Sequence, residues 1–263
     1  MRIVSYRRDD GEVRFGVVDG DSVLDAGNDL SSLATGPAVG TVKEVAVLAP
    51  IPRPGKVICV GRNYAEHAAE TGSEVPDRPQ LFAKFANAVV GPRADVVYPP
   101  ITSALDYEAE LVAVIGRRAS RVPESRALEV VLGYTCGDDV SARDLQFGDA
   151  QWLRGKSLDT FAPMGPWIVT ADEIPDPQTL GIRCLVNGEV RQHDTTANMV
   201  FSVARIIAFI TEAITLEPGD VVFTGTPSGV GVGMDPPQYL SVGDHVRVEI
   251  DEIGAIEHSI TAR

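Results

Sequence analysis

The stretch "DYEAELVAVIG", residues 106–116, decides how the rest of the chain is read. Tyr107, Ala109 and Leu111 alternate with Asp106, Glu108 and Glu110. The period is that of a β-strand with one apolar face. The other face carries three carboxylates spaced two apart, where like charges repel. The chain already has a formal net charge of −14. Two readings stand open on these residues alone. The strand turns an acidic face to water, or it buries that face around a positive partner, because buried charges need a counter-charge.

Further along, "GDDVSARD", residues 137–144, adds Asp138, Asp139 and Asp144 after an apolar stretch and near a sharp turn. That shifts the balance toward a buried site. A divalent cation supplies the missing charge, and all-oxygen ligands select a hard ion such as Mg²⁺, Mn²⁺ or Ca²⁺ over zinc.

Outside these acids the chain reads as an ordinary soluble globular protein. It has 263 residues, 44% hydrophobic and 23% charged, which suits one large domain, or one with a small appendage. The acidic balance argues against nucleic acid and against an anionic membrane surface as partners. Cys59, Cys136 and Cys184 lie among apolar residues without C-x-x-C spacing. They read as buried, reduced thiols of a cytoplasmic protein rather than a disulfide framework or zinc site. "MRIVSYRRDDGEV" has no signal-peptide core, and no apolar run reaches the roughly 20 residues of a membrane span. Of the 23 basic residues only Lys43, Lys56, Lys84 and Lys156 are lysines.

The expected fold class is mostly β with a few helices (α+β), since strands do not alternate regularly with helices. Residues 1–50 read as a small N-terminal β domain, with strands in "RIVSYRR", "VRFGVVDG" and "SVLDAG". "APIPRPGK", residues 49–56, reads as a linker to a main domain at 53–263. There, "VICVGRNY" is a buried strand ending in a glycine turn, and "YAEHAAE" begins a short helix followed by a polar, Pro-containing loop. "SRALEVVLGYTCGDD" starts helical at 125–132 and becomes strand at 133–138. "GIRCLVNGEVRQHD" is a hairpin with an Asn-Gly turn. A helical stripe runs through Val200, Val203, Ile206, Ile207 and Ile210. "TGTPSGVGVG", 224–233, lacks the Gly-Lys-Ser/Thr of a phosphate loop, and "GVGVGM" is no dinucleotide fingerprint.

Taken together, "GRNYAEH" (61–67), "LFAK" (81–84), "DYEAEL" (106–111), "DVSARDLQ" (139–146), "QWLRGKSLDTFAPMGPW" (151–167), "VNGE" (186–189) and "PGDVVFTGTPSGVG" (218–231) resemble the fumarylacetoacetate hydrolase (FAH) family, in family order over residues 53–263. The resemblance implies a mixed β-roll catalytic domain, a homodimer, and action on small 2-oxo or dicarboxylic acids. It places metal ligands at Glu108, Glu110 and Asp139, with Mg²⁺ or Mn²⁺ as cofactor and Ca²⁺ as a crystal substitute. Asp106 shares their face by parity, and the resemblance does not make it a ligand.

The same resemblance makes Lys156 the active-site lysine and pairs His67 with Glu70 as a hydrolytic dyad. The i, i+3 spacing of that pair suits one helical turn, so Glu70 orients His67 to take a proton from water. The mobile segment around the dyad reads as a lid. Arg62, Asn63, Lys84, Arg143, Gln146 and Thr226 are the implied substrate contacts, with a salt bridge as the competing account of Arg143. His193, His245 and His258 read as inert strand-end or surface residues. The function expected first is hydrolysis of a C–C bond in an acylpyruvate- or fumarylpyruvate-type 2,4-dioxo acid, with a metal stabilising the enolate. The same groups suit decarboxylation of oxaloacetate, or isomerisation of a 2-hydroxyhepta-2,4-diene-1,7-dioate in aromatic catabolism. A non-catalytic dimer binding a small acid is the alternative from another class.

Overall fold

The computed structural model describes residues 1–262. Short turns such as "DDGE" and "DGD" fold the first strands back on one another. They form an antiparallel meander of β1 (Arg2–Arg7), β2 (Val13–Asp19), β3 (Ser22–Gly27) and β4 (Ala38–Thr41), with β5 (Ala46–Val47) returning along β1. β6 (Val57–Gly61) is buried throughout and leads into helix α1 (Ala65–Glu70). Next come β7 (Gln80–Lys84), β8 (Val89–Val90), β9 (Val96–Tyr98) and β10 (Leu105–Asp106). The "AELVAVI" segment is β11 (Ala109–Ile115), buried on both faces.

β11 pairs antiparallel with β12 (Val131–Asp138). Beyond it lie β13 (Ser141–Ala142) and the short helices α2 (Arg143–Gly148) and α3 (Leu153–Lys156). β14 (Ala162–Thr170) follows, then the hairpin β15 (Gly181–Val186) and β16 (Glu189–Thr195). Asn187 and Gly188 both have positive φ, 53° and 82°, as an Asn-Gly hairpin turn requires. Helix α4 (Val203–Ala213), β17 (Val221–Phe223), β18 (His245–Ile250) and β19 (Gly254–Ala262) complete the chain.

Apart from the β10–β13 pair, the strands form two layers. One sheet runs β4-β3-β2-β1-β14-β12-β11-β17-β6-β7, and the other β16-β15-β18-β19-β9. The second lies on the face of β11, β12 and β14. It contributes alternate inward side chains: Ile182, Cys184 and Val186, then Val246, Val248 and Ile250. The mostly-β fold expected from the sequence is thus the fold observed. All three cysteines are free and buried. Among the described residues no helix is long and apolar enough to cross a membrane.

The N-terminal strands have a small core of their own, Val4, Tyr6 and Val23, and β1 pairs with β14 (Ile3 opposite Ile168), so they also extend the main sheet. Two local expectations differ from the structure. Residues 124–130 form a 3-10 helix rather than an α-helical segment, and β12 already begins at Val131. Helix α4 starts after Val200, because Ser202 caps it by accepting a hydrogen bond from the Arg205 amide. Its buried stripe is Val203, Ile206, Ile207 and Ile210.

Candidate active site and metal centre

The edge where β10 hands over to β11 builds the site. Tyr107 and Glu108 belong to neither strand. The Glu108 amide donates to the Asp138 carboxylate at 2.8 Å, and the Asp139 amide donates to the Glu108 carbonyl at 2.9 Å. This exchange fixes Glu108 beside the end of β12. Glu108, Glu110 and Asp139 each offer an oxygen within 4.8 Å of the others, and all three are buried.

Cations surround this cluster unevenly. Lys156 Nζ lies 2.8 Å from Glu108 Oε2 and 3.0 Å from Asp139 Oδ2. Arg143 donates to Glu108 Oε1 at 2.5 Å and to Asp106 Oδ2 at 2.8 Å. Glu110 receives the Gly225 amide at 2.7 Å, and among the described residues no cation pairs with it. Burial pushes its carboxyl well above the usual range, and Asp139 and Glu108 push it further. At Glu108 burial acts the same way, but Lys156 and Arg143 outweigh it and hold that carboxyl below its ordinary value. Burial disfavours the Lys156 ammonium, yet the attraction of Asp139 and Glu108 raises its pKa overall. Four buried carboxylates, counting Asp106, thus face three buried cations, Arg143, Lys84 and Lys156. Glu108, Glu110 and Asp139 fit a hard divalent cation by donor type, spacing and unbalanced charge.

Lys156 reaches the cluster because α3 abuts α2. A Cβ on Gly155 would lie 2.5 Å from the Gln146 amide nitrogen and 2.8 Å from the Ala142 carbonyl oxygen, so glycine allows the approach. On the other wall, α1 presents His67, 7% exposed, with Nδ1 2.8 Å from Glu70 Oε1. Glu70 Oε2 accepts the Gly229 amide at 2.8 Å, so the helical start of the segment expected as a lid is tied to the 224–233 loop, while residues 71–79 are turn and coil. His67, Arg62, Glu108, Arg143, Gln146, Lys156 and Thr226 line one cleft, with Phe82, Phe147 and Trp152 as apolar walls. Arg143 Nη2 is buried there without a hydrogen-bond partner.

Two expected substrate contacts lie elsewhere. Asn63 is fully buried, and its amide donates to the Phe201 and Thr224 carbonyls and accepts from the Phe201 amide. It ties the β6 turn to the segment ahead of α4 and has no donor left for a ligand. Lys84 donates to the carbonyls of Val140, Lys156 and Phe161 and lies 2.6 Å from Asp139 Oδ1. That ammonium braces Asp139 from behind. Asp106 accepts from the amides of Tyr107, Gly231 and Val232, and from Arg143.

Other residues escaped the sequence reading. Gln192 accepts from the Ala109 amide and donates to Thr226 Oγ1 and the Pro227 carbonyl, joining β11 to the 224–233 loop. Its signal was absent, since it is one polar residue in a polar strand. Trp152 packs edge-on against Phe82, ring centroids 5.3 Å apart. It stands inside a quoted motif, but nothing in the motif says which way it points. His258 is not a surface residue: it is 2% exposed, with Nε2 3.1 Å from Asp138 Oδ2. Asp138 therefore reaches back into the second sheet while Asp139, one residue on, reaches the cluster with Glu108 and Glu110. His193 and His245 are exposed.

Comparison with known proteins fits this architecture. Oxaloacetate tautomerase FAHD2A, mitochondrial, from Bos taurus is 47% identical over 231 residues, covering 87% of this chain and 74% of that protein. The Homo sapiens protein of that name is also 47% identical, over 82% of this chain and 70% of its own length. A fumarylacetoacetate hydrolase from Exiguobacterium antarcticum has a TM-score of 0.90 at 38% identity, covering 100% of both chains. A 2-hydroxyhepta-2,4-diene-1,7-dioate isomerase from Mycobacterium marinum has a TM-score of 0.87 at 36% identity, covering 100% of this chain and 99% of its own. Residues 56–261 match the family described as Fumarylacetoacetate (FAA) hydrolase C-terminal. The chain belongs to the fumarylacetoacetate hydrolase family.

Proposed function

We propose that this chain is a Mg²⁺- or Mn²⁺-dependent tautomerase that moves a proton between the enol and keto forms of a small 2-oxo diacid of the oxaloacetate class. The observation that carries this reading is His67. Its Nδ1 faces the Glu70 carboxylate at 2.8 Å. A carboxylate only accepts, so Nδ1 carries a hydrogen, and in the neutral ring Nε2 is then the basic nitrogen. In the keto-to-enol direction Nε2 takes a proton from C3 and hands it to the C2 oxygen; in reverse it takes the hydroxyl proton and delivers it to C3, with Glu70 steadying the imidazolium in between.

Removal of that proton puts negative charge on the C2 oxygen. Lys156, an ammonium buried in the same cleft, donates a hydrogen bond where that charge develops. The orphan Nη2 of Arg143 supplies a donor for the neighbouring carboxylate. A divalent ion held by Glu108, Glu110 and Asp139 would supply Lewis-acid stabilisation of the same charge. Trp152 and Phe82 give the cleft an apolar wall. The names of the relatives also point to proton transfer: oxaloacetate tautomerase for those nearly half identical, and isomerase for a structural neighbour.

A hydrolytic reading uses the same dyad. There His67 Nε2 takes its proton from water, which attacks the distal carbonyl of an acylpyruvate, and a C–C bond breaks. The family's namesake chemistry favours it. Proton NMR in deuterated water tests the two together. Tautomerase activity exchanges the C3 hydrogens of oxaloacetate and speeds the decay of its enol absorbance without releasing pyruvate. Rapid pyruvate release from an acylpyruvate, with no acceleration of enol decay, overturns the tautomerase reading. Rapid pyruvate release from oxaloacetate instead marks decarboxylation.

A further inference from the structure

We infer that Arg62 is the residue that selects a substrate with a second, distal carboxylate. This rests on the tautomerase reading for the reaction, though not for the binding. Arg62 follows the last residue of β6 with φ of 58°, a left-handed conformation uncommon for a residue with a side chain and one that persists where the surroundings impose it. Its guanidinium carbon lies 5.6 Å from the centroid of the Trp152 ring. Among the described residues it has no ion-pair partner, although the chain carries 37 acidic residues against 23 basic ones. It lines the cleft that also holds His67, Arg143 and Lys156.

The neighbourhood is built around this arrangement. A Cβ on Gly61 would lie 2.7 Å from the Trp152 ring, so the glycine before Arg62 lets the indole come against the end of β6. The indole then offers its face to the guanidinium, which keeps that side chain at the cleft with its charge uncompensated. Arg143 and Lys156 are already engaged with Glu108 and its neighbours at the buried end. An acid bound there by its 2-oxo carboxylate finds in Arg62 a separate cation for its far end. A planar guanidinium suits a carboxylate in two-point contact.

The test compares oxaloacetate with its 4-methyl ester, which undergoes the same proton transfer with one charge fewer. Wild-type protein is expected to prefer the diacid. Arg62→Met should lower kcat/KM for the diacid by about 10- to 100-fold and leave the ester within about threefold, the threshold we set for no effect. Arg62→Lys should recover part of the diacid preference, which a purely structural role for Arg62 would not produce. Equal losses on both substrates, or a wild-type diacid preference near one, overturns the inference. Calorimetry with malate and its 4-methyl ester, in the presence of Mg²⁺, needs no turnover. Arg62-dependent preference for malate in a protein without tautomerase activity overturns the proposed reaction and supports Arg62. Tautomerase activity without any charge preference does the reverse.

Discussion

Two charge networks in this molecule make opposite use of the same residue types. On the N-terminal strands, Asp25 accepts from Tyr6 Oη at 2.7 Å and from Arg14 at 2.8 and 2.6 Å. Arg14 also reaches Glu12 at 3.3 Å, and the Arg14 and Asp25 side chains stay 20% exposed. Around the acid cluster, the side chains of Asp106, Glu108, Asp139, Arg143, Lys84 and Lys156 are 0–7% exposed, and among the described residues no cation pairs with Glu110. Exposed, balanced pairs cost little to form and contribute little. A buried, unbalanced cluster works against folding, so its presence argues for a ligand that completes it.

Replacing one member of each network separates them. The largest effect is expected from Glu110→Gln. The neutral isostere removes repulsion from Asp139 and Glu108, so the cation-free protein should melt no lower than wild type. The same change deletes a ligand. Mg²⁺ at about 100 times the wild-type Kd stabilises wild type by about 2.7 kcal/mol and should leave the variant unmoved. Activity should fall by at least about a thousandfold, comparable to removing a main charge-stabilising group. Thermal melts with and without Mg²⁺ check this. A variant that melts well below wild type in EDTA would show that Glu110 is structural.

His67→Ala comes next. Loss of a general acid–base lowers kcat by about 10²–10⁴, while the Mg²⁺-induced rise in Tm persists, since the imidazole is no ligand in this arrangement. Steady-state kinetics beside the same melts check both halves. Lys84→Met and Lys156→Met then divide the two buried lysines. Lys84 serves three carbonyls and Asp139. Its loss strands those acceptors and should cost about 3–5 kcal/mol in urea unfolding. Lys156 stands in the cleft, and its loss should fall more on kcat than on stability. Equal stability losses would erase the distinction.

These contrasts also mark what is legible in the sequence alone. Strand alternation, the Asn-Gly hairpin and the α4 stripe are local, so "GIRCLVNGEVRQHD" announces its hairpin. The pairing of β1 with β14 joins residues more than a hundred positions apart, and no local pattern encodes it. At the site, the spacing of Glu108 and Glu110, together with the motif resemblance, suggested the three acids that the fold brings together. The destinations of Asn63 and Lys84 depend on which carbonyls lie above them. Those carbonyls belong to residues 201, 224, 140, 156 and 161, so the sequence near Asn63 or Lys84 could not reveal them.

The smallest expected effect lies in the N-terminal network, and its pH dependence gives the sharpest contrast. Hydrogen bonding from Arg14 holds the Asp25 carboxyl well below the usual range, against the opposing effect of burial. A carboxyl depressed in the folded state contributes stability above its unfolded pKa of about 3.9. That contribution disappears as pH falls through the folded-state value. Asp25→Asn should therefore lower Tm at pH 7 by about 1–3 °C, as for a modest surface pair in a chain of this size. The difference from wild type should shrink steadily below about pH 4. It should also shrink in 1 M salt, where the screening length is about 3 Å. The cleft is shielded from that salt, so the Lys84→Met deficit should stay nearly constant in the same titration. A deficit at Asp25 that ignored salt would place that pair with the buried cluster and remove the distinction between a completed charge network and one that awaits a ligand.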